Sequence, residues 1–193
     1  NRQWADKMIQ VGRSVAYLQI GHIGFELAWM DKIRENNPKL TFFDTSEGFN
    51  LLKETAEEHD HGHDAHDHDA HAGEGTHHHH HHGGVDPHIW SSIAGAKAIA
   101  WNTLNAFIAL DPDNTDYFWQ NYNKLSDEID KTDAEIKKLL DPLTDRTFII
   151  YHPALTYFAN EFNLTQLCIE MDGKEPSPAQ LKQLVETARA NNA

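Results

Sequence analysis

The segment TFIIYHPALTYFANEFNLTQLCIE (residues 147–170) indicates the fold class most clearly. It begins with the β-branched and aromatic run 147–151, continues through a stretch typical of a helix over 153–162, and ends with a second short apolar run over 165–170. A strand, a helix and a strand in this order predict a β–α–β unit with parallel strands. His152 stands directly after the first of these predicted strands.

The same order recurs near the N-terminus, where VAYLQI (15–20) predicts a strand, 24–33 a helix and 39–43 a second strand. Between the two patterns, apolar residues spaced by three and four predict helices over 93–110 and 114–140. At about 1.5 Å per residue, 25 residues of the second of these helices would span close to 38 Å, long enough to bridge two lobes. The sequence therefore predicts an α/β fold with mostly parallel sheets.

Composition excludes several classes of function. The chain has 193 residues, with 16 Lys and Arg against 30 Asp and Glu, so its net charge of −14 argues against binding to nucleic acid or anionic lipid. It has no run of 18 apolar residues, so no membrane span is predicted. A single cysteine, Cys168, excludes an internal disulfide and a Cys-rich zinc module. Because the chain starts at Asn1 without Met and stops inside a predicted helix, we expect an excerpt of a longer protein.

Histidine is the most unusual feature of the composition, with 15 copies. Twelve of them lie in one segment: His59, His61, His63, His66, His68, His71, His77, His78, His79, His80, His81 and His82. The surrounding stretch also holds eight acidic residues, no Lys or Arg, and only alanines as apolar residues. Such a composition cannot bury enough apolar surface to order itself, so we predict a disordered loop over 54–84.

Alternating His and Asp in this loop predicts the capture of transition metals, because neutral imidazole is the commonest metal ligand and suits borderline divalent ions. The pattern does not indicate which metal. Two other interpretations remain: the run 77–82 is an expression tag, or the loop is a solvated acidic segment. A solvated loop accounts for the acids but not for twelve histidines.

Three histidines lie outside the loop: His22, His88 and His152. His22 and His152 follow predicted strands, and His88 lies at a predicted helix entrance four residues after Gly84, where the loop ends. Ligands of open α/β sheets bind at the carboxyl ends of strands, so we predict these three histidines as metal ligands to which the loop delivers its ion. Taken alone, a histidine at such a junction is more often a hydrogen-bonded or capping residue.

A cation at these positions needs negative charge nearby, because helix N-termini carry partial positive charge. Asp86, Glu26 and Glu170 are the candidate charge-balancing carboxylates. The required acid could also lie beyond Ala193.

Five features occur in a fixed order: GHIGFELAWM (21–30), the His-rich acidic loop, DPHIW (86–90), IYHPALTYFANEFNL (150–164) and EPSP (175–178). In this order they resemble the ZnuA/TroA-like zinc-binding solute-binding proteins of bacterial ABC transporters, the cluster A-I group. The resemblance covers nearly the whole chain. DPHIW and HPALTYFA are specific together, whereas EPSP alone would be weak.

The resemblance implies two α/β lobes joined by one long rigid helix. The chain would then divide into an N-terminal lobe (1–113) containing the loop 54–84, a connecting helix (114–140) and a C-terminal lobe (141–193). His88 and His152 match family metal ligands between the lobes. Manganese-binding members tend to have Glu where this chain has His152, so the resemblance implies Zn²⁺ rather than Mn²⁺.

The family's first ligand is usually a His upstream of Asn1 and its last an Asp beyond Ala193, so this chain holds about half of that site. His22 matches a position that is not usually a ligand, and we consider it as a replacement for the missing His. A tetrahedral zinc site of this kind holds an ion and makes or breaks no bond.

The resemblance implies a periplasmic or lipid-anchored receptor, a monomer and not an enzyme, that captures zinc and presents it to an ABC transporter membrane permease. A metal storage or delivery chaperone is one alternative. A zinc hydrolase is another, suggested by HDHGHDAHDHD (59–69), but no apolar strand precedes that string. Cell adhesion occurs among surface members of the family, and no feature of this sequence indicates it.

Overall fold

The computed structural model describes residues 2–53, 84–170 and 176–193. Nearly all of the predicted loop 54–84, with its twelve histidines, lies outside the described residues, as does Glu175 of the EPSP motif. The helices are α1 (Arg2–Arg13), α2 (Gly24–Asn36), α3 (Ile93–Leu110), α4 (Thr115–Leu140), α5 (Thr156–Glu161) and α6 (Pro178–Ala190). The strands are β1 (Ala16–Gln19), β2 (Thr41–Asp44), β3 (Thr147–Ile150) and β4 (Thr165–Cys168). Short 3-10 turns, Ile89–Ser91 and Pro112–Asn114, precede α3 and α4.

Both pairs of strands are parallel, β1 with β2 and β3 with β4. Each pair encloses one helix in the chain, α2 in the first and α5 in the second, so each forms a β–α–β unit. The α/β fold with parallel sheets is thereby confirmed. The carboxyl ends of β1 and β3 lead directly into the segments that carry His22 and His152.

Helices α3 and α4 lie between the two units in sequence and pack as an antiparallel hairpin. Near the start of α3, Lys97 Nζ forms an ion pair with Asp130 Oδ1 at 2.5 Å. Near its end, the ring of Phe107 lies 5.5 Å from that of Phe118. By length and composition alone α3 could cross a membrane. It packs on α4 along one side, where Leu104 is buried, and 22% of its residues are buried in all.

The long helix predicted over 114–140 is present as α4, with 26 residues. It begins one residue later than predicted, because Asn114 ends the preceding 3-10 turn. Pro112 lies in the first position of that turn, where its missing N–H leaves no hydrogen bond unmade. The division of the chain into two lobes stays a prediction.

Helix α5 is shorter than the helix predicted over 153–162. The difference lies mainly at its start, where Pro153 is irregular and residues 154–155 form a turn. The carbonyl of His152 accepts a hydrogen bond from the Ala154 N–H at 2.7 Å, and regular helix starts only at Thr156. His152 and Pro153 consequently lie in a tight turn between β3 and α5.

Candidate metal centre

Two imidazoles from distant parts of the chain face each other. The Nε2 atoms of His88 and His152 lie 3.3 Å apart, although the two residues are 64 positions apart in sequence. Their ring centroids are 5.1 Å apart and the ring planes are inclined by 72°. His88 comes directly before the 3-10 turn that leads into α3, and His152 comes from the turn after β3. The fold therefore brings together the two histidines of the DPHIW and HPALTYFA motifs.

Asp86 contacts the His88 ring at Nδ1, the nitrogen that does not face His152. Its Oδ1 lies 2.7 Å from His88 Nδ1 and also accepts a hydrogen bond from the His88 backbone N–H at 2.9 Å. The carboxylate is buried, with only 4% of the residue exposed. An ionised carboxylate can only accept a hydrogen bond, so this contact favours the tautomer with the ring proton on Nδ1 and the Nε2 lone pair available to a metal.

Glu170 holds His152 in the same way. Its Oε2 lies 3.0 Å from His152 Nδ1. Glu170 follows β4, and its N–H donates to the carbonyl of Tyr151, the residue before His152, at 2.9 Å. The parallel pairing of β3 with β4 thus places carboxylate and histidine side by side. The His152 side chain is 51% exposed and that of His88 only 17%, so the pair opens to solvent on the side of His152.

The separation of the two nitrogens suits a single zinc ion. Two Zn–N bonds of about 2.05 Å at the tetrahedral angle separate their nitrogens by about 3.3 Å. The observed distance between the Nε2 atoms is 3.3 Å. Two neutral imidazoles backed by the two carboxylates of Asp86 and Glu170 also bring the negative charge that a dication requires.

The partial positive charge at the N-terminus of α3 is satisfied by Glu161 of α5. Its Oε2 accepts a hydrogen bond from the Ile93 N–H at 2.8 Å, and its Oε1 accepts one from the Ala94 N–H at 3.2 Å. A carboxylate at this position stabilises the helix and offsets the dipole that would disfavour a cation at the nearby His88.

The other predicted residues near β1 are placed differently. His22 lies between β1 and α2 in the left-handed region, with φ at 63°. Glu26 is buried and its carboxylate accepts hydrogen bonds from the N–H groups of Ile20 (3.0 Å) and Gly21 (2.7 Å). Burial, and then the Glu26 carboxylate, raise the pKa of Tyr17. Glu26 therefore closes the turn between β1 and α2, whereas Asp86 and Glu170 contact the histidine pair.

Within residues 2–53, 84–170 and 176–193, no group of three or more His, Cys, Asp or Glu side chains is arranged around one metal position. His22 is therefore not assembled with His88 and His152 into a three-residue group, and its role as a ligand stays a prediction. The metal-binding roles of His88 and His152 also stay predictions, now supported by their geometry.

Sequence reasoning missed three residues that contact His88 or the segments on either side of it. Trp90 places its ring 5.2 Å from that of His88, centroid to centroid. Tyr157 donates a hydrogen bond to the carbonyl of Asp86 at 2.6 Å, and Glu161 caps α3. The two contacts from α5 join residues 71 and 68 positions apart, so no local pattern could have indicated them. The only signal was that both residues lie in the IYHPALTYFANEFNL motif.

Comparison with known proteins identifies one family. The family described as "ZnuA: Zinc-uptake complex component A periplasmic" matches residues 5–193. A solved structure described as "Crystal structure of ZnuA" superposes with a TM-score of 0.78 at 31% identity, covering 97% of this chain and 63% of that one.

Curated relatives differ in the metal that their names give. The high-affinity zinc uptake system protein ZnuA of Paracoccus denitrificans is 35% identical over 101 residues, which are 51% of this chain and 31% of that protein. The manganese ABC transporter substrate-binding lipoprotein PsaA of Streptococcus mitis is 29% identical over 108 residues, 54% of this chain and 35% of that protein. The matched part thus spans about a third of these relatives' length.

Proposed function

The chain belongs to the family of the periplasmic zinc-uptake component ZnuA, and from this premise we propose that it captures Zn²⁺ and delivers it to an ABC-type membrane permease. The ion would bind between His88 and His152. One observation carries this proposal: the two Nε2 atoms lie 3.3 Å apart while a carboxylate engages each Nδ1. Both Nε2 atoms would then be available to one ion.

The donor set favours zinc over manganese. Imidazole nitrogen suits zinc, whereas carboxylate and carbonyl oxygen suit manganese. Relatives named for each metal occur, so the ligands rather than the family support this choice. His88 and His152 supply two of the four ligands that a tetrahedral zinc needs. His22, or residues outside this chain, would complete the site.

The remaining parts of the proposal concern the whole protein. Two lobes, 1–113 and 141–193, would be joined by the helix 114–140, with the ion held between them. The histidine-rich loop would collect zinc and release it close to His88, because the antiparallel bridge between Lys53 and Val85 closes the loop beside that residue. A periplasmic or lipid-anchored location agrees with the names of the relatives.

Calorimetry with ZnCl₂ on a variant lacking residues 59–82 tests this function. The deletion removes the loop histidines, so one tight site should remain. His88→Ala and His152→Ala should each abolish tight binding, while Asp113→Ala, at an exposed residue, should leave it intact. His22→Ala decides whether that histidine is a third ligand. No tight site in the parent deletion, or tight binding in both histidine variants, would contradict the proposal.

The alternatives make different predictions in simple assays. A storage or delivery chaperone would show many weak zinc sites and no tight one. A zinc hydrolase needs an open coordination position and a general base, and would cleave generic esters, phosphates or lactams when loaded with zinc.

A further inference from the structure

A buried tyrosine joins two segments that meet beside the metal centre. The hydroxyl of Tyr157 donates to the carbonyl of Asp86 at 2.6 Å and accepts from the N–H of Leu52 at 3.0 Å. The residue is 4% exposed, and its ring packs on Phe49 with centroids 5.7 Å apart. The hydrogen bond to the Asp86 carbonyl is buried and the one from the Leu52 N–H is part-buried, so the Asp86 carbonyl in particular depends on this hydroxyl.

Asp86 is held at each of its polar groups. Its N–H donates to the carbonyl of Leu52 at 2.9 Å, its carbonyl accepts from Tyr157, and its carboxylate holds the ring and the N–H of His88. A shift of the Asp86 backbone would therefore be transmitted to the His88 ring.

The same hydroxyl lies beside the two chain ends that flank the histidine-rich segment, Lys53 and Val85, which we call the stem. Lys53 and Val85 form an antiparallel bridge that closes the two ends of that segment. Leu52 and Asp86 come next on either side, and Tyr157 binds both. Tyr157 itself lies in α5, five residues after His152. Its side chain thus links α5 to Leu52 beside the stem and to Asp86, which contacts His88.

We propose that the Tyr157 hydroxyl is a positioning group of the metal centre, which sets the His88 ring through Asp86 and couples the centre to the stem of the histidine-rich segment. The effect on zinc binding rests on the proposed function, whereas the effect on the orientation of the His88 ring does not. Coupling of this kind is reciprocal, so zinc between the two histidines stabilises the stem, and loosening the stem weakens zinc binding.

Tyr157→Phe, which keeps the ring against Phe49 and removes only the hydroxyl, tests the proposal in the full chain. Tyr117→Phe is the matched control, because Tyr117 is 62% exposed on α4. In metal-free protein, nitrogen NMR should show a smaller fraction of His88 with its proton on Nδ1, and the Leu52 amide should exchange faster with solvent. Zinc affinity, measured by competition with a chromophoric chelator, should fall roughly 10-fold, as for other groups that orient a metal ligand.

An unchanged His88 tautomer in Tyr157→Phe would overturn the inference, as would zinc affinity equal to that of Tyr117→Phe. The wild-type chain gives a second test that does not depend on the variant's folding: one equivalent of Zn²⁺ should slow exchange of the Leu52 amide, and no change would contradict the coupling. If His88→Ala and His152→Ala bound zinc like the wild type, the proposed function would fail, yet the tautomer in metal-free protein would still decide the role of Tyr157.

Discussion

An imidazole can bind a metal through Nε2 only when its proton lies on the other ring nitrogen. Asp86, two residues before His88, favours this state of the His88 ring, and Glu170, which follows the strand paired with β3, favours it in His152. Both carboxylates could be predicted from sequence, because the electrostatics of a cation required an acid nearby. Glu26, predicted on the same argument, binds backbone N–H groups instead, since sequence proximity alone does not show where a carboxylate points.

Asp86→Asn should weaken zinc binding by about 10- to 100-fold, the usual effect of removing a group that orients a histidine ligand. The amide keeps the shape of the side chain but loses the charge that favours the Nδ1-protonated ring. Competition with a chelator measures the effect, with Asp113→Asn as an exposed control. Equal affinities in the two variants would show that Asp86 does not orient His88.

Burial raises the pKa of the Tyr157 hydroxyl above its ordinary value. Above about pH 10 the unfolded chain loses this proton while the folded chain retains it, so the free energy of unfolding falls as pH rises toward the folded-state pKa. Tyr157→Phe lacks this contribution. Urea unfolding of the variant between about pH 9 and pH 11 should therefore show a shallower loss of stability than the wild type or Tyr117→Phe. Parallel curves for all three proteins would contradict this expectation.

At the scale of secondary-structure elements, Gly95 allows α3 to pack closely against the 3-10 turn that follows His88. A Cβ built on Gly95 of α3 would lie 1.8 Å from the carbonyl oxygen of Ile89, so α3 and the 3-10 turn after His88 touch through backbone. The helical periodicity of 93–110 was readable from the sequence, and so was the α4 helix. The close approach at Gly95 was not, because it depends on how a turn folds back over the helix.

Gly95→Ala should destabilise the protein by about 3 kcal/mol or more, since backbone atoms of the turn must move to admit the methyl group. Gly24→Ala is the matched control: nothing lies within 4 Å of its Cβ position, and it begins α2 without a left-handed φ. We expect this control to stabilise by about 0.4–1 kcal/mol through a less flexible unfolded chain. Thermal or urea unfolding measures both changes. A Gly95→Ala protein as stable as Gly24→Ala would mean that the turn does not lie against α3 as described.

At the scale of the whole molecule, the histidine pair depends on contacts between distant segments. The parallel β–α–β pattern allowed His152 to be placed at a strand end from sequence. That His88 would join it was expected from its place at a helix entrance four residues after the loop, and from the family resemblance. The contacts that hold the two segments together, from Tyr157 and Glu161 of α5, are long-range and were not predicted.

Zinc that binds only the folded protein should stabilise the whole molecule by mass action. At a free zinc concentration about 100 times the dissociation constant, the free energy of unfolding should rise by about 2.7 kcal/mol. Calorimetric melting of the variant lacking residues 59–82 measures the shift. His88→Ala on the same background should melt at one temperature with and without zinc, and an equal zinc-induced shift in both proteins would place the stabilising ion elsewhere.

Anomalous scattering at the zinc edge, from crystals of the full-length protein grown with Zn²⁺, tests the central claim most directly. We expect one strong peak about 2.0–2.1 Å from Nε2 of both His88 and His152. A strong peak bound by neither histidine, or by only one of them, would contradict the assignment of this pair as the site that receives the ion.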